Sequence, residues 1–359
     1  MKKIFYTLLL LNLGLNGVGQ NADKLLLKDF RPVSVYAIPV TIPAKAKFQV
    51  IDMHSHAYAK SVAQLDAWIK TMDQSGITKT IILTGTAGAK FDSLVAVYGK
   101  YPDRFELWCS FDYTGYDKPG FGPTAVAELE RCYKKGAKGI GELGDKGEGE
   151  TYSDPVPGYG MHMDDARMKP LLQKCAELHM PINIHVADPY WMYLPTDSTN
   201  DGMMNAIEWK IILKPGMLNH GQLIKSLENA VRDNPKTVFI ACHFANCEYD
   251  LTIAGHLLDL YSNLYLDIAA RYAETATIPR YMAKFYDKYQ DRLLYGTDNT
   301  PDESMYRFTF RILETFDEHF YETGFQYHWA LNGFGLNDTI LKKLYMRNAM
   351  KIKKYEDKH

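Results

Sequence analysis

From residue 48 onward, short runs rich in β-branched and aromatic residues alternate with longer amphipathic stretches. No other feature constrains the fold as much. The β-type runs are 49–54, 80–83, 105–110, 138–142, 182–185, 237–243, 264–267 and 293–295, and between and after them the apolar spacing predicts helices over 62–74, 94–101, 124–135, 165–178, 221–232, 250–261, 279–289 and 304–319. Strands separated by helices argue for a parallel sheet, because a parallel neighbour can be reached only through a long crossover. Eight such units predict an α/β fold of the closed (β/α)8 type, the TIM barrel. The doubly wound open sheet is the alternative, but no Gly-x-Gly-x-x-Gly follows the first strand. The 359 residues suit one such domain over 48–353, with 338–353 as a closing helix.

The residues before the barrel read differently. Lys2 and Lys3 precede an apolar run from Ile4 to Leu15, followed by Gly17-Val18-Gly19. This is the layout of a secretory leader over residues 1–19, and the run is short for a membrane span, although an uncleaved anchor is the alternative. The expectation is therefore export to the periplasm or medium, with no stable membrane insertion once the leader is cut. Residues 20–47 carry Pro32, Pro39 and Pro43 with little periodicity and read as an extended arm. Five cysteines are too few and scattered for a disulfide framework, leaving room for one bridge at most specifiable by structure. Net charge is −2 with no basic run, which argues against nucleic acid as a partner and leaves a small-molecule substrate. A homo-oligomer stays open.

Barrel enzymes carry their chemistry where strands end and βα loops begin. Here the first strand ends in His54 and His56, the fourth in Glu142, the fifth in His185 and the sixth in His243, and Asp298 follows the eighth. On a strand, residues i and i+2 face the same way, so His54 and His56 point together, with Asp52 on that side one step deeper. Paired neutral imidazoles on a rigid strand suit a divalent metal. The connections 144–164 and 186–220 are far longer than usual, as functional loops are.

With Asp-x-His-x-His, the later histidines and Asp298 in this order, and Leu-Tyr-Met-Arg-Asn-Ala-Met-Lys-Ile near the end, the chain resembles the amidohydrolase superfamily in its amidohydrolase-related branch, from Phe48 to about Lys351. The resemblance implies that His54, His56, His185 and Asp298 hold one Zn²⁺ or similar ion. It also implies that Asp298 accepts a proton from activated water and that His243 orients that water or polarises the substrate. Asp52 then supports the site without binding. Glu142 departs from the decarboxylase-like members and would suit a bridge between two ions, with His243 on the second. Its alternative is a hydrogen bond or a salt bridge to Lys146.

Arg271 and Tyr272 follow the seventh strand, and Arg271 would suit a substrate carboxylate, a surface ion pair being the alternative. Trp191, with Tyr190 and Tyr193, would wall a pocket for a flat or sugar-like ligand or simply pack its loop. The leading expectation is a metal-dependent hydrolase of a small C–N, ester or lactone bond. The alternative is a non-oxidative decarboxylase of an aromatic or unsaturated acid. A non-catalytic metal-binding barrel is a third reading, opposed by the complete donor set. A nuclease resembling the TatD type is opposed by the neutral charge.

Overall fold

The computed structural model describes residues 21–204, 210–322, 324 and 327–354. Eight parallel strands form the barrel: β1 Val50–Ser55, β2 Ile77–Leu83, β3 Phe105–Trp108, β4 Ile140–Asp145, β5 Ile182–Val186, β6 Phe239–Ala241, β7 Leu264–Asp267 and β8 Leu293–Leu294. Between β3 and β4 the ladder continues through Cys109, whose N–H meets Gly139 O at 3.0 Å and whose carbonyl takes Gly141 N–H at 2.8 Å. Met53 N–H to Tyr295 O at 2.9 Å and Asp298 N–H to His54 O at 2.8 Å join β8 back to β1. The cylinder is closed, and that last seam brings the first and last functional residues side by side.

Each helix covers its strand with an apolar face. In Val62–Ser75, Leu65, Trp68 and Met72 are buried at the spacing of one helical stripe. Truncating any of them to alanine would cost about 2–5 kcal/mol. Ser61 caps the start by accepting Gln64 N–H, and Gly76 ends the helix at φ +84°, where a side chain would be strained. A smaller cluster of Ile51, Met53, Ile81, Leu83, Trp108, Ile240 and Leu294 gathers residues from strands around the cylinder, and Ala349 and Ile352 of the closing helix join it.

Several boundaries differ from expectation. The helix predicted over 94–101 begins earlier and runs Gly88–Tyr98, its first N–H taken by the Glu128 carboxylate at 2.8 Å. The one predicted over 304–319 stops at Glu314, because Thr315 turns extended and the following residues pair locally, with Gly333 N–H on Asp317 O and Gly335 N–H on Thr315 O. The connection after β4 contains a small hairpin, Gly149–Glu150 with Gly158–Tyr159, pinned by Asp145, which accepts from Gly147 and Gly149 N–H and meets His162 Nδ1 at 2.6 Å.

Residues 21–47 form no strand and touch the barrel at few points, among them Thr41 N–H on the Asp317 carboxylate and Phe30 O at the His328 ring. The leader expected at 1–19 lies outside the described residues. Among those described, no helix is long and apolar enough to cross a membrane. All five cysteines are buried free thiols.

Candidate metal centre

At the C-terminal rim, four histidines and two carboxylates converge. His56 Nε2 lies 2.9 Å from Asp298 Oδ1 and 3.4 Å from Glu142 Oε2. His54 Nε2 stands 3.7 Å from both Glu142 Oε1 and Asp298 Oδ1. His185 Nδ1 is 2.9 Å from Glu142 Oε1 and 3.1 Å from His243 Nε2, which in turn is 3.5 Å from that same Glu142 oxygen. Glu142 is thus the hub, one carboxyl group reaching toward all four rings.

The expected set of His54, His56, His185 and Asp298 is only partly assembled. The donor atoms of His54, His56 and Asp298 lie within 4.8 Å of one another, as do those of His54, Glu142, Cys242 and His243, while His185 is in neither set. Its Nε2 instead sits 3.4 Å from Asp188 Oδ1. Cys242 has the distance, but its thiol donates to Asn183 Oδ1 at 2.9 Å, and burial pushes its pKa well up. The alternative partner suggested for Glu142, Lys146, pairs with Asp188 at 2.8 Å.

These residues fit a divalent cation. His54 Nε2 is fully buried and makes no hydrogen bond with any described residue, while its Nδ1 is fixed by the Asp267 carboxylate at 2.9 Å. A carboxylate on the far nitrogen holds the ring and its tautomer so that the other lone pair faces the cation. Without a cation the cluster is held by charge. Burial drives the His54 pKa down, but Asp267, Asp298 and Glu142 outweigh it and raise it to about 10. Burial likewise pushes Asp298 up, yet the His54 charge and the His56 hydrogen bond bring it to about 2. Glu142 is held well below the usual carboxylate range by His54, His185 and His243, against the same burial.

The backbone is strained where it delivers these groups. His243, Phe244, Ala245 and Asn246 all have φ between +51° and +58°, and Asp298 has +52°. Left-handed residues with side chains cost about 1–3 kcal/mol each and persist only when surroundings over-determine them. Here the surroundings do. His243 N–H donates to Asp267 Oδ1, and Asn246 Nδ2 donates to Val186 O and Ala187 O while its Oδ1 accepts from Arg271.

The cluster opens into a cavity of about 750 Å³ whose wall includes Lys146, Tyr152, Asp188, Arg271, Glu274 and Tyr327. Arg271 is in this wall, as expected. Tyr272 is not: it is buried, its hydroxyl donating to Thr297 O at 2.8 Å, because the first helical residue after Arg271 turns the opposite way. Trp191 lines a neighbouring cavity instead, and Pro189 and Met192 of its loop face this one.

Asp52 braces backbone, accepting from His54 N–H, Thr297 N–H and the Thr297 hydroxyl. The β1–β2 pairing slips between Asp52 and Ser55, so strict alternation ends before the histidines. Asp267, Asp188 and Asn246 were missed. For Asp267 the signal was present, since it is the last residue of its strand.

The sequence model described as amidohydrolase matches residues 41–352. No curated protein matches by sequence. Among solved structures, the chain is similar to a 5-carboxyvanillate decarboxylase from Novosphingobium aromaticivorans complexed with manganese and 4-hydroxy-3-methoxy-5-nitrobenzoic acid (15% identity, 88% of this chain and 100% of that one, TM-score 0.55). It is similar to a dihydroxybenzoic acid decarboxylase from a Polaromonas species with bound manganese and 2-nitroresorcinol (16%, 86% and 97%, 0.54). It also resembles an uncharacterised TIM-barrel protein from Bordetella bronchiseptica (14%, 87% and 100%, 0.53). At such identities these likenesses establish the fold.

Proposed function

The chain belongs to the amidohydrolase family, and from that premise we propose a metal-dependent lyase that removes carbon dioxide from a small aromatic or unsaturated carboxylic acid. The observation that carries the acid substrate is Arg271. Its guanidinium is buried in the cavity wall, with Nε and Nη2 donating to Asn246 Oδ1 and Nη1 to Ala270 O. Three of its five N–H groups are so engaged, which fixes the plane and leaves two for a carboxylate. Tyr152 and Tyr327 in the same wall offer faces for a flat ring. The decarboxylases named above favour the same chemistry.

His54, His56, Glu142, His243 and Asp298 would hold the cation. Once bound, a divalent ion polarises a substrate oxygen and neutralises its charge. With the Cys242 thiol engaged by Asn183, the donors that remain are nitrogen and oxygen, which suit zinc and manganese alike, so the expected zinc has manganese beside it. In the reaction the bond from carbon to carboxylate breaks, carbon dioxide leaves, and the electron pair left on carbon takes a proton. Asp298, hydrogen-bonded to His56 and lining the cavity, would move that proton. Export through the leader is part of the same proposal.

Hydrolysis is the second reading, favoured by Glu142: a carboxylate within 3.7 Å of three histidines through one oxygen and 3.4 Å of the fourth through the other is shaped to bridge two cations. Asp298 would then take a proton from water. The manganese- and zinc-loaded protein, assayed with hydroxybenzoates and with an amide, ester and lactone panel, separates the two. The expected result is carbon dioxide from at least one aromatic acid, with Arg271→Lys raising KM at least about tenfold through loss of the planar fork. Hydrolysed fragments without carbon dioxide would overturn the lyase reading in favour of the hydrolase.

A further inference from the structure

Beside the first cavity lies a second, of about 510 Å³, walled by Tyr190, Trp191, Tyr249, Trp329, Glu248 and Glu274 among others. Glu274 lines both cavities. The turn Tyr190–Tyr193 is the partition, with Met192 facing one side and Tyr190 and Trp191 the other.

Three polar atoms of this second wall make no hydrogen bond with any described residue: Nε1 of Trp191 and Oε2 of both Glu248 and Glu274. Glu248 is only 8% exposed, and a carboxylate oxygen so enclosed is costly unless a donor meets it. Arg271 does not supply one: three of its N–H groups go to Asn246 and Ala270, and it forms no hydrogen bond or ion pair with either glutamate. Burial pushes the Glu248 pKa up to about 7 against the pull of Arg271, as expected of an acid still lacking a partner.

The rings add to this. Tyr190 and Tyr249 stack with centroids 4.2 Å apart, and aromatic faces attract cations, most strongly when both are out of water. Asn200 is already used, its amide donating to Trp191 O and Pro195 O and its oxygen accepting from Gly202 N–H. Among the buried polar atoms of this wall, two acceptors and one donor remain unmatched beside aromatic surfaces, a balance suited to a cation more than to a sugar.

We propose that the second cavity is a subsite for an ammonium group at the far end of the substrate, held by Glu248 and Glu274 among the rings of Trp191, Tyr249 and Trp329. This rests on the first cavity being catalytic, with Glu274 lining both. The substrate would then be an acid that also bears an amine, its carboxylate toward Arg271 and its ammonium across the partition.

Calorimetric titration of the chelator-stripped protein with benzylamine, benzyl alcohol and glucose tests this without turnover. A failed decarboxylase assay therefore leaves the outcome readable, and the reverse also holds. Benzylamine is expected to bind at least about tenfold more tightly than benzyl alcohol. Glu248→Gln and Glu274→Gln should each remove most of that difference, and Asp298→Asn should leave it unchanged. The wild-type comparison stands even if one variant fails to fold. Equal affinity for amine and alcohol, tighter binding of glucose, or indifference to both glutamine variants would overturn the subsite.

Discussion

Asp298→Asn is expected to lower kcat by about a thousandfold or more while leaving the melting temperature within a few degrees of the parent. The substitution keeps size and shape, and an amide oxygen can still accept the His56 Nε2 hydrogen bond now 2.9 Å long. What it removes is the group able to carry a proton. General acid or base catalysis contributes about 10²–10⁴ in rate, and both the lyase and the hydrolase readings route the proton through this carboxyl group. Steady-state kinetics beside a thermal melt checks it. Full activity in a folded variant would remove Asp298 from the chemistry whichever reaction is catalysed.

Asp267→Ala should have the largest effect of any change outside the cluster itself. The side chain is completely buried and meets four groups at once: His54 Nδ1, Asn183 Nδ2, and the backbone N–H groups of His243 and Ala269, all between 2.9 and 3.1 Å. Two consequences follow from that position. His54 loses the contact that orients it, which should weaken divalent-cation affinity about 10- to 100-fold. The charged ring is also left buried without its nearest counter-ion, which should cost about 3–5 kcal/mol of stability. Competition with a chelating dye and equilibrium denaturation read the two separately. Lower stability with unchanged affinity would mean that Asp267 only supports the barrel.

Much of the barrel was legible because each βα unit repeats two periodicities, and a polar residue breaking an apolar strand at its end stands out. That is how His54, His56, Glu142, His185, His243 and Asp298 were found, and they do meet at one rim. Asp267 obeys the same rule in Leu-Tyr-Leu-Asp, as the polar residue that ends its strand.

Side-chain direction was legible only while strict alternation lasted. It ended at the slip after Asp52 and at the left-handed residues 243–246 and 270, which set where His243 and Arg271 point. For that reason Tyr272 was expected at the mouth and lies beneath it, while Asp52, expected one step below the histidines as a support, braces Thr297 and the His54 backbone. Of the second cavity only Tyr190 and Trp191 were legible, as aromatics that would wall a pocket. Its wall combines the loop after β5, the stretches after β6 and β7 and residues 329 and 330, whose proximity depends on barrel closure.

The claim beneath both readings is that residues distant in sequence meet at the rim to hold a divalent cation. Anomalous diffraction from crystals of the manganese-loaded protein tests this most directly. The account predicts a peak among His54, His56, Glu142 and Asp298. A fully loaded crystal with its only peak elsewhere, and those four side chains well ordered, would contradict it.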